Sequence, residues 1–213
     1  MRIARIAASL WVALVVAQAP MAQEVTEDGL VRVPSSRQVG VYRAPAIPFT
    51  QFRSVMIAPI PVIFRKTWLR EHYNIKEDRL SQMQGELASA FREELEAEFH
   101  EAGYQVVDSP GPGTLRLEPY VLNVNIVAPD ASSEQRGHTY IRTGNSMKMV
   151  VELRDSSSEV IVGRIISYLQ PQEYSIAQFA SKVGNYGEAR TAFSNTARYT
   201  REALNVAKVE RDD

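Results

Sequence analysis

The sequence predicts a two-layer α+β (α/β) domain, a twisted and mostly antiparallel sheet of about five strands with two helices packed on one face. Three observations carry that prediction. From Glu77 to Ala102 apolar residues recur every three or four positions; several other segments alternate apolar and polar residues; and the elements follow in the order strand, helix, strand, long strand, hairpin, helix.

Residues 23–50 lack periodic pattern and contain Pro34, Pro45 and Pro48, so they read as an extended N-terminal arm ahead of a single domain at 51–213. Ser54 to Phe64 reads as a strand that Pro59 and Pro61 place at an edge or break. In the first helix, Leu80, Met83, Leu87, Phe91, Leu95, Phe99 and Ala102 form one stripe, and Gly103 supplies the stop. Tyr104 to Asp108 is a short strand, followed by the loop Pro110-Gly-Pro-Gly113.

Between Thr114 and Val127 the alternation changes phase. Leu115 and Leu117 share one parity and Leu122, Val124 and Ile126 the other, which predicts a bulge near Pro119–Val121. Residues 128–145 read as a polar loop. Met147, Met149, Val151 and Leu153 then alternate with Lys148, Val150, Glu152 and Arg154, and Val160 to Leu169 is again strand-like, so the pair forms a hairpin turning at Asp155–Ser158. The second helix is expected from Tyr186 to Lys208, with Ala189, Phe193, Ala197, Thr200, Leu204 and Ala207 on one face.

Of the 213 residues, 45% are apolar and 23% charged, none is cysteine, and the formal net charge is −1. Absence of thiols excludes disulfide-stapled and cysteine-ligated zinc scaffolds. Near-neutral charge removes the electrostatic argument for a nucleic-acid partner. Residues 1–22 read as a secretory signal: Arg2 and Arg5, an apolar run Ile6–Ala17, then small residues. Ala17-Gln18-Ala19 is one cleavage motif, but Pro20 follows it; Pro20-Met21-Ala22, ahead of Gln23, is preferred. The run is short against the roughly 20 apolar residues of a membrane span, and no second long apolar segment follows. The expectation is a periplasmic protein, soluble and without an integral span once the signal is removed.

A resemblance spans nearly the whole mature chain. Asp28-Gly-Leu-Val-Arg-Val33, Val41-Tyr42, Val55-Met-Ile-Ala-Pro59 and Phe64-Arg-Lys-Thr-Trp68 carry its first half. Ala102-Gly-Tyr-Gln-Val-Val107, Pro110-Gly-Pro-Gly-Thr-Leu-Arg-Leu117, Ala128-Pro-Asp130 and Glu152-Leu-Arg-Asp155 carry the second. In this order they resemble the exported bacterial proteins of the domain-of-unknown-function family 3313. Many members look like outer-membrane lipoproteins; this chain has no lipobox cysteine, and Thr196-Ala197 stands where such proteins often carry a tryptophan in the last helix. The resemblance implies an α/β envelope domain and implies no activity.

No residue pattern supports catalysis or a cofactor. The sequence contains no G-x-S-x-G, no phosphate-binding loop and no H-E-x-x-H, and His72, His100 and His138 lack ligand spacing, so no metal is expected. Glu93, Glu94, Glu96, Glu98 and Glu101 crowd one helix end; a solvated face explains them better than a docking strip. Ser156-Ser-Ser158 has the chemistry of a turn, with no base beside it. The remaining candidate is the interleaved aromatic and basic segment Phe64, Arg65, Lys66, Trp68 and Arg70. It forms either a binding rim for an anionic partner, or a core edge closed by Phe64 and Trp68 with solvated basic neighbours; burial is the commoner fate of tryptophan. The function expected is that of a non-enzymatic cell-envelope protein binding another protein or an anionic envelope component. The alternative is a periplasmic hydrolase or small-ligand carrier with a dispersed site, which a cavity of converging polar groups would favour.

Overall fold

A computed structural model of the chain describes residues 24–35, 39–127, 140–171, 173–179 and 182–205. The expected signal segment 1–22, Ala128-Pro-Asp130, His138 and the end of the second helix beyond Asn205 lie outside the described residues.

The strands are β1 (Val31–Val33), β2 (Val39–Arg43), β3 (Ser54–Ile57), β4 (Val62–Phe64), β5 (Gln105–Val106), β6 (Thr114–Asn125), β7 (Tyr140–Thr143), β8 (Ser146–Asp155), β9 (Ile161–Leu169) and β10 (Glu173–Phe179). The helices are α1 (Lys66–Glu71), α2 (Glu77–Glu101) and α3 (Lys182–Asn205). The main sheet has eight strands in the order β1-β2-β9-β8-β6-β3-β5, with β4 also paired to β6; β7 and β10 pair in a small second sheet.

Eight strands replace the expected five for identifiable reasons. Pro59 and Pro61 split one predicted strand into β3 and β4, because neither can donate to the ladder. The backbone resumes its bonding around them: Ala58 N–H donates to Leu117 O and Val121 N–H to Pro61 O. The N-terminal arm supplies the other two strands, since β2 pairs antiparallel along β9 and β1 along β2. The sheet is also mixed: β3 and β4 run parallel to β6, and β5 runs parallel to β3. A strand–helix–strand return through α2 imposes that direction.

The helical layer differs from the expected pair as well. Met83, Leu87, Phe91, Leu95 and Phe99 of α2 are buried as the spacing predicts, whereas Leu80 is half-buried and Ala102, which caps the helix, is exposed. Phe91 stacks on Phe193 of α3 with ring centroids 4.8 Å apart. Thr196 of α3 meets Ser167 of β9 through a buried hydroxyl contact of 2.8 Å, which docks α3 on the sheet. The third helix, α1, is not part of that layer. It lies at the end of β6, where Trp68 reaches the Ile126 carbonyl, so the helices are not confined to one face.

Three details fix the frame. Gly103 (φ +83°) ends α2: its N–H donates to His100 O, Tyr104 N–H donates to Phe99 O, and the Phe99 and Tyr104 rings meet edge-on at 5.4 Å. The phase change in β6 falls later than expected, between Leu122 and Asn125, where Asn123 adopts φ +54°. Asparagine tolerates that left-handed conformation, so the bulge sits there and not at Pro119–Val121. At the β8–β9 turn, Asp155 Oδ1 accepts N–H bonds from Ser157 (2.8 Å) and Ser158 (3.2 Å).

Met149 and Leu153 face the core, in register with Val121 and Leu117 of β6. The opposite face carries a chain of ion pairs across three strands: Glu159–Arg116–Glu118–Arg154–Glu152–Arg164–Asp28. Burial works against the charge of Arg164, yet hydrogen bonds to Asp28 and Glu152 outweigh it and raise its pKa. No described helix is long and apolar enough to cross a membrane.

Candidate functional site

Strand alternation decides which way β4 faces. Val62 and Phe64 point into the core, whereas Ile63 between them is 53% exposed. Arg65 remains extended and donates its N–H to Val124 O, after which the chain turns into α1. One residue of α1 is buried, Trp68. Its ring lies 4.5 Å from Phe64 and stacks 4.3 Å from His72. His72 in turn closes the helix: its backbone N–H (3.0 Å) and its Nδ1 (2.9 Å) both reach Trp68 O. A carbonyl only accepts, so Nδ1 carries the proton.

Helical spacing then turns Lys66, Leu69 and Arg70 away from Trp68. Leu69 is 40% exposed and Tyr73, just past the helix, is 88% exposed. Arg65, Lys66 and Arg70 are exposed beside them. From Ile63 to Lys76 the segment holds four cations (Arg65, Lys66, Arg70 and Lys76) and one carboxylate (Glu71), within a chain of net charge −1. The five residues singled out by sequence thus divide. Phe64 and Trp68 are core residues, 4% and 1% exposed, and offer no contact surface; Arg65, Lys66 and Arg70 do. The apolar part of the surface is Ile63, Leu69 and Tyr73. Sequence reasoning missed these, although the β alternation around Ile63 and the turn of helix between Trp68 and Leu69 both carried the signal.

Several of the other sequence candidates have internal partners. Glu94 binds Arg190 of α3 at 2.7 Å, Glu93 binds the same guanidinium at 2.9 Å, and Glu98 binds Arg201. The acidic end of α2 is therefore a clasp onto α3, and Glu86 extends it by accepting the Tyr186 hydroxyl proton in a hydrogen bond. Ser156 is buried, donating to Gly111 O at 3.0 Å and accepting Gly111 N–H at 3.1 Å, which pins the 110–113 loop to the hairpin. His100 is exposed in the last turn of α2, where a positive charge suits the helix dipole.

Fold and surface together define a class: an open mixed sheet with helices packed against it, ending in a short helix that displays cations and apolar side chains. The DUF3313 pattern, described as "Protein of unknown function (DUF3313)", matches residues 22–200, and the chain belongs to that family. No curated protein matches the chain. Solved structures similar to it include the PelC dodecamer from Paraburkholderia phytofirmans (13% identity, TM-score 0.37, covering 75% of this chain and 94% of that one). A DUF4136 family protein from Bacteroides thetaiotaomicron is similar at 13% identity and TM-score 0.38, over 78% of this chain and 96% of that one. A minor lipoprotein from Acinetobacter baumannii is similar at 9% identity and TM-score 0.35, over 75% and 93%. Likenesses at this level say nothing about function.

Proposed function

We propose that this protein is a non-enzymatic component of the bacterial cell envelope, exported by its N-terminal segment, that binds an anionic envelope component through the β4–α1 surface. One observation carries the reading: Ile63, Leu69 and Tyr73 stand exposed within a segment of four cations and one carboxylate. Large apolar side chains exposed to water cost free energy that a partner recovers. Basic residues next to an anionic surface contribute about 1 kcal/mol each. The aliphatic stems of Lys66 and Arg70 can lie along the same apolar contact while their charges meet phosphate.

The rigidity of the segment supports the reading. Trp68 anchors α1 from beneath, so the outward residues are presented on a fixed support and lose little freedom on binding. Flotation of the purified protein with vesicles tests it. Recovery with phosphatidylglycerol vesicles and not with phosphatidylcholine supports the proposal; equal recovery with both, or with neither, contradicts it.

A further inference from the structure

The chain approaches β3 through one 3₁₀ turn, Phe49–Gln51, which buries Phe49 and Phe52 with their rings 6.1 Å apart and leaves Thr50 and Arg53 exposed. Gly103 and Tyr104, just past α2, and Leu204, near the end of α3, complete the walls of a half-open cleft of about 490 Å³. That volume is within the usual range of small-molecule sites. We propose that this cleft binds an organic monocarboxylate with a compact apolar body. The site is separate from the β4–α1 surface and does not rest on the role assigned to it.

Two groups supply the polar recognition. The backbone holds Arg53 in place: its N–H donates to Gly113 O at 2.9 Å, and its carbonyl accepts from Gln105 at 3.3 Å. The guanidinium itself forms no ion pair and no hydrogen bond among the described residues. Tyr104 is fixed by its N–H, which donates to Phe99 O, and by its ring, edge-on to Phe99. Its side chain is half-buried, and the hydroxyl has no hydrogen-bond partner among the described residues. Burial raises the pKa of that hydroxyl against the opposing charges of Arg53 and Arg201, so the phenol keeps its proton and can donate it to a ligand.

Charge narrows the class further. Arg53 is the charged residue of the lining, and both charges that act on the Tyr104 hydroxyl are positive, so the cleft favours an anion. Arg201 is already answered by Glu98 and Glu202, which leaves one guanidinium for the ligand. A single carboxylate matches it; a phosphate monoester would bring a second charge into a half-enclosed site with no cation of the lining to meet it. The end of α2 does not oppose an anion strongly, because the carbonyls of Glu98, Phe99 and His100 already accept from Ala102, Tyr104 and Gly103. Phe49, Phe52 and Leu204 give the remainder of the ligand an apolar lining.

Amide NMR titration of the purified protein tests the proposal with 3-phenylpropionate and hexanoate as probes. The neutral 3-phenylpropanol and the dianion phenyl phosphate serve as comparisons. The expected result is saturable shifts at Thr50, Gly103 and Tyr104 with at least one carboxylate, and weaker binding of the alcohol and the phosphate. Affinity should fall about tenfold or more in Arg53→Gln and about threefold or more in Tyr104→Phe, and should be unchanged in Arg198→Gln, which removes an exposed arginine elsewhere on α3. Arg53 is exposed and Tyr104→Phe keeps the ring against Phe99, so both variants should retain the thermal midpoint of the parent. If either does not, the comparison of carboxylate with alcohol, made on the parent protein, decides alone. Absence of saturable shifts with both carboxylates overturns the proposal. So does equal affinity for the alcohol, tighter binding of the phosphate, or equal binding by the parent and a folded Arg53→Gln.

Discussion

The indole Nε1 of Trp68 donates a 2.8 Å hydrogen bond to the carbonyl oxygen of Ile126, joining α1 to the end of β6 across 58 positions of sequence. A binding tryptophan would present this group to its partner; here the strand end consumes it. Trp68→Ala removes a fully buried ring and leaves the Ile126 carbonyl without that donor. It should therefore destabilise the protein by about 3–5 kcal/mol, as large-to-small core changes do. Denaturant unfolding of the two proteins measures the difference, and a cost below about 1 kcal/mol would mean that the ring does not pack.

Met149 and Lys148 are neighbours on opposite faces of β8. Met149 is buried against the helices, whereas Lys148 is half-buried on the far face, in register with Leu122 and Tyr168. Burial of one large apolar side chain contributes about 1.5–3 kcal/mol. Met149→Lys should lower the thermal midpoint by much more than Lys148→Glu. Equal shifts would place the strand in the wrong phase.

Tyr186 supplies a test in alkaline solution. Burial, followed by the hydrogen bond to Glu86 and its negative charge, raises the Tyr186 pKa above its ordinary value. An unfolded tyrosine loses its proton near pH 10, while the folded one holds it. The stabilisation from Tyr186 is thus complete below about pH 10 and is lost as pH rises beyond that. Tyr186→Phe should be less stable at neutral pH, and its stability should fall less steeply above about pH 10. Parallel pH profiles for the two proteins would show that the α2–α3 contact is not made in solution.

Export is tested by mass. The signal reading places cleavage before Gln23, so the protein released by osmotic shock should have the intact mass of residues 23–213. Recovery only in detergent, with residues 1–22 retained, would replace export with anchoring.

The parts of the fold that could be read from sequence are those where one local rule acts alone. The α2 stripe from Leu80 to Phe99, its stop at Gly103 and the β8–β9 hairpin all follow from spacing that no other force overrides. The strands that were missed depend on distant partners. Val39–Arg43 has little pattern of its own and becomes a strand because the edge of β9 pairs with it. Likewise, Glu94 and Glu98 read as solvated because Arg190 and Arg201, which neutralise them, lie about a hundred positions away. The candidate surface was half legible for the same reason. Its charges are visible in sequence, but that Trp68 is buried, and so turns Leu69 outward, depends on a hydrogen-bond acceptor 58 positions away, the Ile126 carbonyl.

The central claim is that the outward cations of the β4–α1 surface, and not the buried aromatics, engage an anionic partner. The direct measurement is the affinity of Arg65→Ser/Arg70→Ser for phosphatidylglycerol vesicles, read against the parent protein in low and physiological salt. Neither side chain is part of the core, so the thermal midpoint should be unchanged. Two charges at about 1 kcal/mol each predict a loss of about 2 kcal/mol, or roughly thirtyfold in affinity, with a weaker dependence on salt. A folded double variant that binds as tightly as the parent, with the same salt dependence, would contradict the account.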